Sequence, residues 1–348
     1  VTRVVVCGTG FGRIYLKGVR RSGMELAGVL ATGSARSVEV ARRYDVPLYT
    51  SVADLPSDVD IACVVVRSGL LGGQGTALAE ELLARGVHVL QEQPVHADEV
   101  AGCLRAARRA GVLYRVNAFH PHLPVVQRFL AAARTLASLR EVSFVDAACA
   151  VSVSYPLVDL LGRALGGLRP WSFTASAGSP FSVVTGTIGG VPLTARVQNQ
   201  LHPDDPDNHA HLLHRMAIGT DGGVLTLADT HGPVLWTPRL HVPRVDGDLV
   251  LDGDAIGADG DLASTTVLAP APATFAELLD REWPDAVAHA LTELTAQIGR
   301  PGAESRRVEQ YQLSVCTAWA DLTRELGPPE VVRPAPPKPL PANELEIA

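Results

Sequence analysis

Across the first 120 residues, short apolar runs alternate with stretches whose apolar positions recur at helical spacing. Val4–Cys7, Glu25–Leu30, Ile61–Val66, Val87–Leu90 and Leu113–Asn117 read as strands, with Pro47–Tyr49 as a shorter one. Runs as apolar as Val4-Val5-Val6-Cys7 suit strands covered on both faces, as in a parallel sheet. Between them, helices are predicted near Ile14–Ser22, Ser37–Tyr44, Gln74–Arg85 and His96–Ala110. Alternation of strand and helix through short loops predicts an α/β fold, a Rossmann-type doubly wound parallel sheet.

Beyond residue 122 the pattern changes. Pro124–Leu136 reads as an amphipathic connecting helix, and the chain then turns to alternating residues. Leu139–Ala150, Trp171–Ala175, Phe181–Ile188, Leu193–Leu201, His211–Ile218, Gly223–Ala228 and Pro233–Trp236 are the predicted strands. Successive strands after a β/α region predict an α+β domain on a mostly antiparallel sheet. Two helices follow, Thr274–Ile298, which Pro284 should break, and Ala303–Leu326. The expected division is 1–122 as a dinucleotide-binding domain, 123–326 as a substrate and dimerisation domain (with 124–137 connecting them), and 327–348 as a proline-rich irregular tail.

Composition narrows the class. A chain of 348 residues with 47% hydrophobic and 19% charged residues is ordinary for a soluble two-domain protein. No apolar run approaches the ~20 residues that span a bilayer, and no secretory leader is expected where the chain enters a strand at once. Cys7, Cys63, Cys103, Cys149 and Cys316 are scattered and odd in number, which suits buried thiols in a reducing cytoplasm. A net charge of -7 without a basic block argues against nucleic acid as a partner.

The chemistry gathers at Gly8-Thr9-Gly10-Phe11-Gly12-Arg13, directly after the first strand. Glycines there allow a sharp turn and close approach of a ligand, and the next helix offers free N–H groups to a pyrophosphate. The pattern departs from the dinucleotide fingerprint at Arg13, where a small residue is usual. The second strand ends in Thr32-Gly33-Ser34-Ala35-Arg36-Ser37, without the acid that holds an NAD ribose. Arg36, with Ser34 and Ser37, suits a 2′-phosphate instead, so NADP(H) is the expected cofactor. Ser34 or Ser37 as a plain helix cap is the competing reading. The loops Val66-Arg67-Ser68-Gly69, Gln91-Glu92-Gln93-Pro94 and Asn117-Ala118-Phe119-His120-Pro121-His122 also follow strands, where ligands bind in such sheets.

His120 is the candidate proton donor, since an unperturbed imidazole titrates near ~6.5. Gln93 cannot titrate but can donate an amide N–H or orient water. Asn117 and His214 are candidate pocket residues, with a core or interface histidine the competing reading of His214, and Asp159 is either a pocket residue or a structural acid paired with Arg163. The group His202, Asp204, Asp205, Asp207, His209, His211 and His214 mixes metal-ligating types, but its spacing fits no tight ligand pattern and its prolines and aspartates read as a turn between strands, with no metal expected.

A glycine-rich first domain, Glu92-Gln93-Pro94 as a Glu-x-Pro, and a later antiparallel sheet resemble the Gfo/Idh/MocA oxidoreductases. Within them the chain looks like the thiazolinyl imine reductases of siderophore-type nonribosomal pathways. The likeness rests on Phe11-Gly12, the stretch from Gly33 to Ser37, Pro47-Leu48-Tyr49-Thr50, the stretch from Asp60 to Ser68, and Gly86-Val87-His88-Val89. It continues through Gln91-Glu92 and Pro94, Pro203-Asp204-Asp205-Pro206-Asp207, and Gly232-Pro233-Val234-Leu235-Trp236. The resemblance implies NADPH-dependent reduction of a thiazoline C=N to a thiazolidine. Its substrate is a thioester on a carrier domain of a nonribosomal peptide synthetase, and the enzyme is a cytoplasmic homodimer. Glu92, Gln93, Arg67 and Ser68 would join the glycine turn in holding the cofactor. The chain departs from the family at Gln93, where Lys or His is usual, and at His120, where Tyr is usual. A sugar or polyol dehydrogenase of the same fold and a catalytically silent NADP(H) sensor are the rival readings.

Overall fold

The computed structural model describes residues 1–68, 73–250, 262–272, 274–300 and 302–345. In the first part β1 (Arg3–Cys7), α1 (Gly12–Arg21), β2 (Glu25–Leu30), α2 (Ala35–Tyr44), β3 (Leu48–Tyr49), β4 (Ile61–Val64), α3 (Gly75–Ala84), β5 (His88–Glu92), α4 (Ala97–Ala110) and β6 (Tyr114–Asn117) follow one another. The six strands are all parallel, in the order β3-β2-β1-β4-β5-β6. That order reverses direction at β1, and the crevice beside its carboxyl end is where such sheets bind ligands. Val4, Val5, Val6 and Cys7 are fully buried, as strands with helices on both faces require.

The second part opens with α5 (Pro124–Leu139), β7 (Val142–Ala150) and α6 (Ser154–Leu165). β8 (Ser172–Ser176), β9 (Phe181–Ile188), β10 (Val191–Gln198), β11 (Gln200–Leu201), β12 (His214–Thr220), β13 (Gly223–Leu227) and β14 (Val234–Pro238) come next. After the small hairpin β15 (Arg244–Val245) and β16 (Asp248–Leu249) lies β17 (Thr266–Ala269). The second sheet runs β17-β14-β13-β12-β7-β10-β9-β8, antiparallel throughout except for the β7–β10 pair. Burial alternates along β9 and β10, so one face is packed and the other open, with Phe144, Val183 and Val267 exposed.

The chain ends with α7 (Phe275–Glu277), a π-helical turn over Leu278–Glu282, α8 (Trp283–Gln297), α9 (Ala303–Leu326) and β18 (Glu330–Val331). The break expected at Pro284 takes the form of that π turn, because proline lacks the N–H and crowds the carbonyl four residues back. Chain order grouped α8 and α9 with the second sheet, but they also cover the first. A Cβ on Gly18 of α1 would lie 2.5 Å from the Val287 side chain of α8, so the two helices touch at a residue without one. Gln312 of α9 accepts a hydrogen bond from Val116 N at 2.9 Å, sealing edge strand β6. The tail is not wholly irregular: β18 pairs in parallel with β11, and Asn199 donates to Leu326 O at 3.1 Å. Residues 346–348, part of the expected tail, and Gly69 of the loop after β4 lie outside the described residues. Among the described residues, no helix is long and apolar enough to cross a membrane.

Candidate active site

The β1–α1 turn gives each glycine a different task. Gly8 has φ +99°, and a Cβ there would stand 2.6 Å from Val65 O. Only glycine is comfortable at such a position. A Cβ on Gly10 would meet no described atom within 4 Å, and Gly10 is exposed, so the turn is open where a phosphate would approach. Gly12 begins α1, where a Cβ would lie at ordinary contact distances of 3.5 and 3.7 Å from the Val6 and Val65 side chains. Among the described residues no side chain caps α1, which leaves its first turn to a ligand. Thr9 flanks this opening, and Arg13, exposed, folds back to Gly10 O at 3.4 Å.

At the end of β2 both readings of the serines hold in part. Ser34 caps α2 by accepting from Ser37 N at 3.3 Å. Ser37 is fully buried and donates to Ser34 O at 2.8 Å, so its hydroxyl is spent and does not face a ligand, contrary to the sequence expectation. Ser34 and Arg36 stay exposed beside the helix N-terminus. Arg67 is exposed as well, whereas Ser68 is buried and donates to Pro94 O at 2.9 Å, where it holds the Gln93–Pro94 loop.

At the ends of β5 and β6 the structure brings three side chains together. Asn117 Nδ2 donates to the Tyr15 hydroxyl at 2.6 Å, and that hydroxyl donates to Glu92 Oε2. Burial pushes the Glu92 carboxyl up to about 8, against the pull of the Tyr15 hydrogen bond. Burial and the neighbouring Glu92 likewise raise the Tyr15 phenol well above 10. Next to Glu92, Gln93 keeps its backbone N–H on Asn117 O at 3.1 Å, while its side-chain oxygen is buried without a hydrogen-bond partner among the described residues. An orphaned buried acceptor is costly and calls for a donor beyond the described residues.

His120 reaches the cleft through a strained turn. Phe119 sits at φ 60°, ψ -63°, and His120 N donates to Ala118 O at 2.7 Å, which is the rare γ-turn form. Asn117 Oδ1 steadies it by accepting from Phe119 N at 3.0 Å. The His120 ring meets His214 edge-on, with centroids 4.7 Å apart. Burial, with His214 and His231 nearby, holds His120 well below its ordinary value. It is a neutral ring at pH 7, which corrects the expectation of an acid matched to neutral pH: the sequence supplied the unperturbed imidazole, and the fold removed its water.

His214 is fully buried with both nitrogens committed, Nε2–H to Val153 O at 2.8 Å and Nδ1 to the Thr230 hydroxyl at 2.9 Å. Burial takes its pKa down to about 4. It supports the wall from behind His120. Sequence reasoning missed the rest of that wall. Trp283 donates from Nε1 to His231 Nε2 at 3.2 Å, and His231 Nδ1 faces Asp229 at 3.3 Å. Trp283 also packs on Phe11 and Phe119, with centroids 6.0 and 5.5 Å away. The glycine turn, the His120 turn and the start of α8 therefore meet at one place. Asp159 pairs with Arg163 at 3.0 Å, as its spacing suggested. His202 stacks on His209 at 4.4 Å and accepts from Asp204 N and Asp205 N, as part of a hydrogen-bonded turn.

The open Gly10, the uncapped α1 and the unpartnered Gln93 oxygen fit a nicotinamide dinucleotide, and the absent acid after β2 fits a phosphorylated one.

Comparison with known proteins agrees. No curated protein gave a match to the sequence. Solved structures with the same fold include KijD10, a 3-ketoreductase from Actinomadura kijaniata bound to NADP, at TM-score 0.67 and 15% identity over 96% of this chain and 99% of that one. An oxidoreductase from Agrobacterium radiobacter with NAD+, L-tartaric acid and magnesium gives TM-score 0.67 and 12% identity over 93% and 96%. UDP-N-acetylglucosamine 3-dehydrogenase GnnA from Acidithiobacillus ferrooxidans gives 0.63 and 18% over 93% and 99%. At such identities the likeness is one of fold. Residues 2–118 match the family model of the Gfo/Idh/MocA oxidoreductases with an NAD-binding Rossmann fold, and residues 140–237 match the C-terminal domain of the thiazolinyl imine reductase Irp3-like proteins. The chain is thus a Gfo/Idh/MocA-type oxidoreductase with an Irp3-like C-terminal domain.

Proposed function

We propose that this oxidoreductase uses NADPH to reduce the C=N bond of a thiazoline to a thiazolidine, on an intermediate tethered to a carrier domain in siderophore-type nonribosomal peptide synthesis. One observation carries the reading: residues 140–237, which supply His214 and Asp229 to the far wall of the cleft, match the Irp3-like domain. Gln93 supports it. Alcohol–ketone chemistry on this fold wants a titratable group where this chain has an amide.

Gly8, Gly10 and Gly12 shape the cradle, and Arg36 and Ser34 stand where a 2′-phosphate needs charged and neutral donors. Bound there, reduced nicotinamide supplies the hydride. The Gln93 oxygen would accept a hydrogen bond from a carboxamide or an ordered water, ending its isolation. Hydride addition leaves the ring nitrogen in need of a proton. Through neutral pH, Glu92 and Tyr15 hold one, whereas His120 and His214 are neutral rings. Phe11, Phe119 and Trp283 keep the approach apolar. The partner in this reading is the carrier domain of a nonribosomal peptide synthetase. The protein works in the cytoplasm as a homodimer, with a second copy covering the open face of the second sheet.

The test is turnover of NADPH with a thiazoline presented as a small-molecule thioester, read by nicotinamide absorbance and identification of the thiazolidine. Reduction of NADP+ by a sugar or polyol instead would establish a dehydrogenase. Tight NADPH binding without turnover on any thiazoline would establish the silent sensor.

A further inference from the structure

Away from the cradle, the turn after β6 and helix α8 converge on a second group of side chains. His122 Nδ1 and His289 Nδ1 face each other at 3.1 Å. Glu293, one helical turn beyond His289 on α8, places one carboxylate oxygen 3.8 Å from His122 Nδ1 and the other 3.8 Å from His289 Nδ1. The two rings are within hydrogen-bond range of each other, whereas both 3.8 Å separations from Glu293 are too long for hydrogen bonds. They are well suited to sharing an ion, since two bonds of ~2.0–2.1 Å span ligand atoms up to about 4 Å apart. The three ligand atoms all lie within 4.8 Å of one another.

We propose that His122, His289 and Glu293 form a binding site for a zinc-class divalent metal ion. Two imidazoles and one carboxylate suit zinc, cobalt or nickel, not calcium or magnesium, which prefer sets of oxygens. Metal ligation needs a free lone pair on each ring. The Arg163 charge facing His122 is met by Asp159 at 3.0 Å, so it does not oppose the ion alone. The Gln127 amide lies 3.2 Å from His289 Nδ1 and 3.3 Å from its Nε2, and its carboxamide oxygen, after an amide flip, would accept the Nε2–H and orient the ligand ring. Three protein ligands leave a fourth position, and His122 and Glu293 both line a cavity of about 70 Å³ that can hold water there. The ion would fasten the turn carrying His120 to the helix whose first residue is Trp283.

The test uses the full chain stripped with chelator and titrated with Zn2+ by calorimetry, and with Co2+ by visible absorption. One saturable site per chain, a higher melting temperature in Zn2+ and a Co2+ spectrum of low coordination number are expected. His289→Ala and Glu293→Gln alter half-exposed side chains of α8, so the fold should persist while affinity falls at least about tenfold. His209→Ala, in the stacked pair with His202, should change nothing. Absence of saturable binding, affinity unaffected by His289→Ala, or affinity lost in His209→Ala would each overturn the site.

Discussion

On the glycine-turn side of the cleft, groups face outward with little to hold: Gly10 is open, α1 is uncapped, and Arg36 makes no ion pair with a described residue. On the opposite side the polar atoms are spoken for. His214 is held at both nitrogens, Trp283 by His231, and His231 by Asp229. Groups left free in a folded chain are available to a ligand, whereas groups already paired hold shape. The first wall is therefore built to bind a cofactor, and the second to present a rigid, largely apolar face to whatever the cofactor reacts with.

A pair of substitutions would break this contrast most sharply. His214→Ala should cost about 2–4 kcal/mol, because it leaves the Val153 carbonyl and Thr230 hydroxyl unpaired and a cavity behind. Chemical denaturation measures this, and NADPH affinity of the folded fraction should hold. Gly10→Ala should do the reverse, keeping stability within about 0.5 kcal/mol while weakening NADPH tenfold or more in calorimetry.

Glu92 tests the boundary between the walls. Its folded-state pKa is raised to about 8, so the folded chain holds a proton that the unfolded chain releases near ~4.3. Stability should therefore fall as pH rises from about 4.5 to about 8, and level off above, at up to about 1.4 kcal/mol per unit from this group. Tyr15 on α1 and Cys63 on β4 are the titratable neighbours, and both stay protonated throughout that window. Glu92→Gln should flatten the slope, which melting temperatures across pH would show. The last effect is one of cofactor choice, at Arg36. Arg36→Ala should weaken NADPH about ten- to a hundredfold and NADH little, as loss of a phosphate contact predicts.

How far the sequence could be read follows the same division. The cradle is built from consecutive residues, so strand, glycines and helix announce it together. The end of β2 was legible to the level of Arg36, but not that Ser37 turns inward, since cap and phosphate contact use the same hydroxyl. The second wall joins Phe119, His214, the neighbouring Asp229 and His231, and Trp283, four segments that only the tertiary fold brings near each other. Alternation did place His214 on the apolar face beside Met216, yet nothing local named Val153 and Thr230 as its partners. The neutrality of His120 was hidden for the same reason: residue type gives an ordinary pKa, and the shift comes from burial and two rings distant in the chain. The metal-ligating group was equally scattered, with His122 more than 160 residues before His289.

The central claim is that the cofactor carbon held by the glycine turn faces a thiazoline against the second wall. NADPH carrying deuterium at the transferable position of the nicotinamide, incubated with the chain and a thiazoline thioester, tests it most directly. The account predicts one deuterium on the former C=N carbon of the thiazolidine. NADPH consumed without deuterium reaching that carbon, or thiazoline recovered unchanged beside tightly bound NADPH, would contradict it.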